Sequence, residues 1–477
     1  MAYKDLREFI DILDSRHDIK RIEGADWNLE IGGITEILAR RPSSSPALLF
    51  DSIKSCRRGF RVLTNALESY GRTATALGID NNCARPLDGL DEWRSRLRVM
   101  KPVAPRIVHE SPIFECSAEG DEVDLFSFPV PKWHENDGGR YIGTGSLVVT
   151  KDPDTGWVNA GIYRVQVHTK SVVSVHFDHG GRHGAIMAKK YWDKGQNCPV
   201  SIVCGEDPAL FFAGYEYLPW GSPEYEFAGA IKGEPIDVIE VPNTGNLVPA
   251  FSEIVLDGEM PPIENESVVE GPFGEYTGYY AAGQSISAIA KIKSIHYRGD
   301  PIIWGVPPIR SPYANVGLPL PAATLWNNLD KIGITDVVGV WQYSMSQITV
   351  VAVKQRYSGH AKRAGLVAAA NSYMGRIIIV VDDDIDPSDI YDVLWAISTR
   401  CEPESSVDII RNGWSSILDP RIPPTEKARG NVSNSKMIID ACKPFSWIKD
   451  FPSPTGLSPG LKKSLEEKWA DILNERQ

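Results

Sequence analysis

Cysteine is scarce in this sequence and shows no pairing pattern. The seven cysteines are odd in number, widely scattered and without a CxxC pair: Cys56, Cys83, Cys116, Cys198, Cys204, Cys401 and Cys442. A disulfide framework, a zinc ribbon and a dithiol redox centre are therefore not indicated. Small buried side chains in a reducing compartment fit this cysteine usage.

Long apolar runs and a basic stripe are also missing. The longest apolar runs, such as Ile377 to Val381, are far too short to span a bilayer, and the N-terminus MAYKDLREFIDIL lacks the apolar stretch of a signal peptide. Fifty basic against 62 acidic side chains give a formal charge of −12. This balance disfavours nucleic acid and anionic membrane as partners. We therefore expect a cytoplasmic protein that binds neither.

The composition that remains is that of a large globular protein, with 477 residues, 42% hydrophobic and 23% charged. At roughly 150 residues per domain, this length indicates about three domains. Helical spacing from Lys4 to Leu13 and short strands such as Ala47 to Phe50 predict an N-terminal α/β domain over residues 1–112. A proline-rich connector, Lys101 to Pro112, ends it.

Residues 113–300 change to short β-rich runs separated by Gly/Pro turns, which predict a barrel or sandwich. The predicted strands are Gly145 to Thr150, Ser171 to Phe177, Val200 to Cys204, Ile236 to Val241 and Ile286 to His296. Two helices, Ile186 to Lys194 and Pro208 to Ala213, interrupt them.

Strands alternate with helices over residues 301–477, a pattern typical of a parallel sheet flanked by helices. The predicted strands are Val337 to Gln342, Ile348 to Val353 and Ile377 to Val381, and the helices are Pro319 to Lys331, His360 to Tyr373 and Asp389 to Thr399. The charged tail from Leu461 to Asn474 predicts a surface helix that could reach a partner subunit.

Two carboxylates, Glu270 and Glu275, flank a turn of Gly, Pro and Gly in the stretch VEGPFGEYTGY. Such turns hold side chains in a fixed arrangement. If only one carboxylate is paired with a cation, the two differ in proton affinity, so one stays ionised while the other delivers a proton. Taken alone, two glutamates around a turn also fit a solvated surface.

An arginine with suitable chemistry ends the upstream stretch WVNAGIYR. On a strand Asn159, Gly161 and Tyr163 share one face, so Arg164 points the other way unless the strand is bulged. Arg164 could bind a carboxylate through two parallel hydrogen bonds. A structural arginine in a barrel wall is the alternative.

Asn159, His183 and Glu224 together offer an amide oxygen, an imidazole and a carboxylate. This set suits a hard divalent ion such as Mn²⁺ or Mg²⁺ that also binds a phosphate. A histidine in a glycine-rich loop is, however, more often not a ligand.

Taken together, these stretches resemble the UbiD-type decarboxylases, which use prenylated FMN. The likeness runs from near the N-terminus to the last helix, and EGPFGE with NAGIYR is its most specific part. The matching motifs, in chain order, are HENDGGRYIGTG (134–145), NAGIYR (159–164), GGRH (180–183), PAFSEIVLDGE (249–259), EGPFGEYTGY (270–279), YSGHAKR (357–363), VDDDIDPSD and DVLWAISTR (381–400), and SKMIIDA (435–441).

The resemblance implies an α+β multidomain fold: an N-terminal α/β domain, a central split β-barrel related to flavin reductases that binds prenylated FMN, and a C-terminal α/β oligomerisation domain with a tail helix. It implies a reversible non-oxidative decarboxylase of aromatic, heteroaromatic or α,β-unsaturated carboxylic acids, acting through a covalent adduct with prenylated FMN. The implied partners are a homo-oligomer, dimer or hexamer, and a flavin prenyltransferase that supplies the cofactor.

The matching motifs imply which residues of this chain would have the roles known in the family. Arg164, Glu270 and Glu275 fall on the family's catalytic arginine and glutamates. Asn159, His183 and Glu224 would hold Mn²⁺ (or Mg²⁺) beside K⁺. The implied cofactor contacts are Asn159, Gly161, Ile162, Tyr163, Arg164, Arg182, His183, Gly214, Tyr215, Glu224 and Lys436, the last at the flavin phosphate.

The sequence departs from the family pattern at two places. Arg182 replaces a common glutamine, and the stretch from Arg164 to His183 is one residue longer than in ferulic acid decarboxylases, so His179 is an alternative metal ligand. Gly161 stands where the ferulic acid decarboxylases have serine. The polyprenyl-hydroxybenzoate decarboxylases have glycine at this position, like this chain.

We expect Arg164 to orient the substrate carboxylate and pair with Glu270, which leaves Glu275 free to protonate the carbon that CO₂ leaves. Arg182 favours an aromatic acid with a polar or anionic substituent if it lines the pocket, but it could equally face solvent. A flavin-binding protein without turnover and a metal-dependent hydrolase are the competing interpretations.

Overall fold

The fold is mixed α+β, with several sheets in one chain, as the sequence predicted. The computed structural model describes residues 3–41, 45–177, 181–310, 317–344, 346–372 and 374–473. Over these residues the strands form sheets of four, ten, three and five strands. Within the same ranges, no helix has both the length and the apolar character needed to cross a bilayer.

The N-terminal region folds as helices packed on a small sheet. Its elements are α1 (Leu6–Ser15), β1 (Ile19–Glu23), α2 (Glu30–Ala39), β2 (Ala47–Asp51), β3 (Arg61–Thr64), α3 (Tyr70–Leu77) and α4 (Pro86–Val99). Asp5 caps α1 by accepting a hydrogen bond from Glu8 N. The helix then buries Leu6, Phe9, Ile10 and Leu13, which the 3.6-residue period places on one face.

The central region is dominated by one large, mainly antiparallel sheet. Its strands follow the order β6-β9-β10-β16-β14-β11-β7-β8, with β5 and β15 also paired to β16; β13, β12 and β4 form a separate small sheet. The elements are β4 (Arg106–Ile107), β5 (Cys116–Glu119), β6 (Arg140–Gly143), β7 (Leu147–Lys151), β8 (Val158–Ile162), β9 (Val165–Val167), β10 (Val172–Val175), α5 (His183–Trp192), β11 (Cys198–Cys204), α6 (Pro208–Tyr215), α7 (Glu224–Lys232), β12 (Asp237–Glu240), β13 (Leu247–Pro249), β14 (Ile254–Met260), β15 (Ser267–Glu270), β16 (Ser285–Tyr297) and β17 (Ile302–Trp304).

The sequence prediction missed one helix in this region, α7. The helix has the sequence EYEFAGAIK and is buried on most of its sides. Tyr225, Ala228 and Ile231 are among its buried residues. No polar stripe therefore marks the solvent side, so the amphipathic pattern that identifies surface helices is weak.

The C-terminal region contains the five-stranded sheet β18-β19-β20-β22-β21 and its helices. The elements are α8 (Leu320–Lys331), β18 (Val337–Tyr343), β19 (Ile348–Val353), α9 (His360–Asn371), β20 (Ile377–Asp382), α10 (Ile390–Arg400), α11 (Pro403–Ser406), β21 (Val407–Trp414), α12 (Pro424–Ala428), β22 (Ser433–Ala441), α13 (Pro459–Lys468) and α14 (Ala470–Leu473). The predicted tail helix is thus two short helices.

The prediction of a parallel C-terminal sheet was only partly right. β19, β20 and β22 run parallel, but β18 pairs antiparallel with β19, and β21 pairs antiparallel with β22. The short connection between β18 and β19 permits only antiparallel pairing, since a parallel pair needs a long crossover.

The chain returns to the first sheet after the central region. β17 pairs with β3, so residues beyond 300 complete the N-terminal sheet. The domain limits at 112 and 300 stay predictions.

Candidate functional site

Strand pairing brings Arg164 close to Glu270 and Glu275, although they lie about a hundred residues apart in sequence. Arg164 occupies the break between β8 and β9, Glu270 is the last residue of β15, and Glu275 lies in the following turn. Because β16 pairs with both β10 and β15, and β10 pairs with β9, one part of the sheet holds all three.

Glu270 is fully buried and accepts four hydrogen bonds. Arg164 donates from Nε to Oε1 (2.9 Å) and from Nη2 to Oε2 (2.7 Å). The Tyr141 hydroxyl donates to Oε1 at 3.0 Å, and His176 Nδ1 lies 3.3 Å from Oε2. A carboxylate has about four acceptor positions, so both oxygens are saturated.

These donors determine the charge of Glu270. Burial alone would raise its pKa, but the hydrogen bonds from His176 and Arg164 outweigh burial and lower the pKa to about 2. Burial would likewise lower the pKa of Arg164, but the neighbouring Glu275 and Glu270 raise it above its usual range. An ionised Glu270 and a cationic Arg164 follow at neutral pH.

Glu275 also contacts Arg164, through Nη1, and is 7% exposed. The sequence prediction paired Arg164 with Glu270 and left Glu275 free to exchange its proton. The guanidinium group instead serves both, because its Nε–Nη2 edge binds Glu270 and its remaining nitrogen is directed at Glu275.

A second loop fixes the turn between the two glutamates. The Asp137 carboxylate accepts from Gly274 N (3.0 Å) and His134 N (2.9 Å), and Gly138 N donates to Pro272 O (2.7 Å). A Cβ at Gly138 would lie 2.0 Å from the Gly271 carbonyl oxygen, so only glycine fits this approach. The sequence showed HENDGG only as part of the resemblance, although an Asp before two glycines is itself a turn signal.

One predicted metal ligand, Asn159, lies on the same chain segment as Arg164. Asn159 is a buried residue of β8, and Glu224 Oε2 accepts from the next amide, Ala160 N, at 3.1 Å. His183 begins α5, and Gly184 N donates to the Tyr163 hydroxyl at 3.1 Å. The starts of two helices, α5 at His183 and α7 at Glu224, therefore lie against the β8 segment.

The donor set fits a hard divalent cation. Burial raises the pKa of Glu224 to about 7, and within the described ranges no salt bridge joins it to a cationic side chain. Burial and then Arg182 lower the pKa of His183, which favours the neutral imidazole that metals bind. No three His, Cys, Asp or Glu side chains cluster for metal binding in the described part of the chain; in the predicted set the third donor would be the amide oxygen of Asn159.

The remaining predicted cofactor contacts surround β8. Arg182 Nη2 donates to Ile162 O (3.3 Å), and its guanidinium lies over the rings of Tyr163 (5.2 Å) and Tyr217 (5.3 Å). A Cβ at Gly161 would meet the Tyr163 ring at 2.7 Å. Arg182 is therefore held by protein groups rather than extended into solvent.

Helix α6 carries Gly214 and Tyr215 behind the same strand. A Cβ at Gly214 would lie 2.8 Å from Ala160 O, and the Tyr215 ring stacks on Phe211 with centroids 6.2 Å apart. Their contact with the cofactor stays a prediction. The alternative metal ligand, His179, lies outside the described residues.

Lys436, predicted at the flavin phosphate, lies on β22 and is half-buried. Its ammonium donates to Ala369 O (2.8 Å) and Ser372 O (2.9 Å) at the end of α9. Two of its three protons thus bind backbone carbonyls, and the phosphate contact stays a prediction.

Sequence reasoning missed two of the donors to Glu270. Tyr141 lies on β6, inside the HENDGGRYIGTG motif, and His176 follows β10. Nothing in the local pattern around His176 distinguishes it from other polar residues at a strand end, since its partner is in contact only through tertiary folding.

Comparison with known proteins gives matches along the whole chain. Three family models, each described as part of a 3-octaprenyl-4-hydroxybenzoate carboxy-lyase, match in order: the UbiD N-terminal domain (residues 10–86), the Rift-related domain (106–311) and the C-terminal domain (314–441). The chain is 32% identical to a phenolic acid decarboxylase of Streptomyces sp. (strain D7), over 99% of this chain and 98% of that protein.

Solved structures of the same class have the same fold. Vanillic acid decarboxylase of Sedimentibacter hydroxybenzoicus, in an open form, superposes with a TM-score of 0.85 at 29% identity, over 100% of both chains. An evolved dimeric form of the UbiD-class enzyme HmfF from Pelotomaculum thermopropionicum, in complex with prFMN, gives 0.81 at 25% identity, over 97% of this chain and 98% of that one.

Proposed function

This chain belongs to the UbiD family of decarboxylases, and on that premise we propose that it removes CO₂ reversibly and without oxidation from phenolic or related unsaturated carboxylic acids, using prenylated FMN. The arrangement around Arg164 carries the proposal. One guanidinium group contacts two buried carboxylates that differ in their remaining partners.

The cofactor would be bound on the β8 segment. Asn159, His183 and Glu224 would hold Mn²⁺ or Mg²⁺ beside K⁺, and Lys436 would contact the flavin phosphate. The support is the buried Glu224 carboxylate and the neutral His183 imidazole. When bound, prenylated FMN supplies the electron sink that amino-acid side chains lack.

We assign different tasks to the two glutamates. Glu270 has no acceptor position left and is ionised, so it serves to hold Arg164 in position. Arg164 would orient the substrate carboxylate. Glu275, which lies at the other nitrogen of Arg164, would donate its proton to the carbon that loses CO₂.

Our proposal for the substrate class rests on the names of the relatives and on the charge of Arg182. The relatives act on phenolic and vanillic acids by name, and we propose acids of this kind, with heteroaromatic and α,β-unsaturated acids as further candidates. Arg182, held between Tyr163 and Tyr217, would favour a polar or anionic group if it borders the pocket. We further propose a cytoplasmic homo-oligomer, dimer or hexamer, supplied by a flavin prenyltransferase.

One experiment separates this function from its competitors. The protein is purified after expression with and without a flavin prenyltransferase, and its absorption spectrum and CO₂ release are measured with 4-hydroxybenzoate, vanillate, 3,4-dihydroxybenzoate, cinnamate and furoate. We expect a flavin spectrum and CO₂ release only after co-expression. Coloured protein inactive on every acid would favour a flavin-binding protein, whereas colourless active protein would favour the metal-dependent hydrolase; either result contradicts the proposal.

A further inference from the structure

His176 contributes one of the four donors to Glu270, and the family resemblance did not single it out. Its side chain is 10% exposed, and Nδ1 lies 3.3 Å from Glu270 Oε2. The same nitrogen is 3.5 Å from the hydroxyl oxygens of Ser285 and Ser287 on β16. The contact therefore lies inside the sheet, one strand away from Arg164.

The charge of Glu270 determines where the histidine proton lies. A carboxylate with a pKa of about 2 is ionised at neutral pH and can only accept hydrogen bonds. The proton between the two side chains must therefore sit on His176 Nδ1.

Each oxygen of Glu270 has one donor besides Arg164. Tyr141 binds Oε1 and His176 binds Oε2. These two contacts keep the carboxylate oxygens opposite Nε and Nη2 of Arg164. Without His176, Oε2 keeps only its bond to Arg164, and the carboxylate can tilt. Arg164 would tilt with it, because its two bonds to Glu270 act as a unit.

From this geometry we infer that His176 is a positioning residue: it fixes Glu270 Oε2 and thereby keeps Arg164 Nη1 directed toward Glu275 and the substrate carboxylate. The inference rests on the proposed decarboxylase function. It assigns His176 a task in the reaction without any contact with substrate.

The other charged and titratable groups around Glu270 come from neighbouring strands. Arg164 lies between β8 and β9, Tyr141 lies on β6, and Glu275 lies beyond Arg164. His168, after β9, feels the charge of Glu270, but its Nε2 contacts Ser174 Oγ at 3.0 Å. His168 is thus a matched control: a second histidine in the same part of the sheet with a different hydrogen-bond partner.

The test compares H176L and H176A, which remove the donor, with H176N, whose amide nitrogen can occupy the position of Nδ1. H168L is the control. For each flavin-loaded variant, kcat and KM are measured at pH 7 with the best acid of the substrate panel. Acid unfolding is followed by circular dichroism between pH 7 and 2, which needs no turnover.

We expect H176L and H176A to lower kcat about tenfold at pH 7 and to raise the pH at which acid unfolding begins by about one unit, since Glu270 has lost a donor to its ionised form. H176N should restore both to near wild type, and H168L should move neither.

An unchanged onset of acid unfolding in both donor-free variants, or no recovery of kcat in H176N, overturns the inference, because a histidine that only fills space would not require a donor at the position of Nδ1. Failure of the proposed function looks different, since the wild type would then release no CO₂. In that case acid unfolding alone decides whether His176 stabilises ionised Glu270; equal onset in wild type, H176L and H176A overturns the inference.

Discussion

At the scale of single residues, two carboxylates that contact the same arginine have different surroundings. Glu270 is enclosed by donors from three separate chain segments and is 0% exposed, whereas Glu275 sits at the end of a turn and is 7% exposed. Saturation of its oxygens keeps Glu270 ionised and excludes it from delivering a proton. These surroundings agree with our proposal that Glu275 carries the proton.

The low pKa of Glu270 has a consequence for stability. A carboxyl group whose pKa falls from 4.5 to about 2 on folding stabilises the native state above pH 4.5, and this contribution is lost as the pH falls toward 2. E270Q should therefore lower the free energy of unfolding by about 3 kcal/mol at pH 7, in the range for breaking a buried ion pair. The difference in the free energy of unfolding between E270Q and the wild type should become smaller below pH 4.5.

Urea unfolding at several pH values between 7 and 3 measures this effect. E404Q, which changes an exposed glutamate on α11, is the control and should stay within about 0.5 kcal/mol of wild type throughout. A pH-independent loss in E270Q would mean that Glu270 is not stabilised in its ionised form.

At the scale of elements, the site depends on two loops that interlock at backbone level. Asp137 and Gly138 bind the turn between the glutamates through two hydrogen bonds, from Gly274 N to the Asp137 carboxylate and from Gly138 N to Pro272 O. Gly271 adopts φ of +85°, which favours glycine there. The spacing of Glu270 and Glu275 is thus fixed by a neighbouring loop as well as by the turn's own sequence.

G138A tests this contact. The added Cβ would lie 2.0 Å from the Gly271 carbonyl oxygen, so the turn must shift, and a displacement of about 1 Å can cost roughly a hundredfold in rate. We expect kcat to fall about that much. The control is G71A on α3, where a Cβ meets nothing within 4 Å; it should keep kcat and gain about 0.5 to 1 kcal/mol of stability. Equal kcat in both variants would contradict the interlock.

At the scale of the whole molecule, the C-terminal region reaches the loop that follows Glu275. The Tyr276 hydroxyl contacts Met374 Sδ at 2.9 Å, and Lys427 Nζ donates to Ala281 O at 2.7 Å. Burial lowers the pKa of Lys427, while Asp419 and Glu275 oppose the shift, so its ammonium senses the charge of the site. The site is therefore completed by segments far apart in sequence.

Helix α10 carries an exposed apolar face, which could serve in subunit assembly. Tyr391, Leu394 and Trp395 lie on one face of α10 and are 80%, 53% and 41% exposed. If this face joins subunits, L394E should reduce the mass measured by light scattering, while V99E, at an isolated exposed position, should not. An unchanged mass in L394E would exclude this face from the subunit contact.

The sequence allowed the overall architecture to be predicted, because the pattern of strands and helices is local. The structure also brings together the three residues that the motifs singled out, Arg164, Glu270 and Glu275. It did not predict α7, whose burial removes the amphipathic pattern, nor the antiparallel edges of the C-terminal sheet. His176 and the double contact of Arg164 were also missed, since both arise from strand pairing across about a hundred residues.

The central claim is that Glu275 delivers the proton while Arg164 and Glu270 hold the site. CO₂ release by flavin-loaded E275Q, measured beside its absorption spectrum, tests this most directly. The account predicts no turnover with the flavin spectrum of the wild type retained. An E275Q enzyme that still releases CO₂ at a wild-type rate would contradict it.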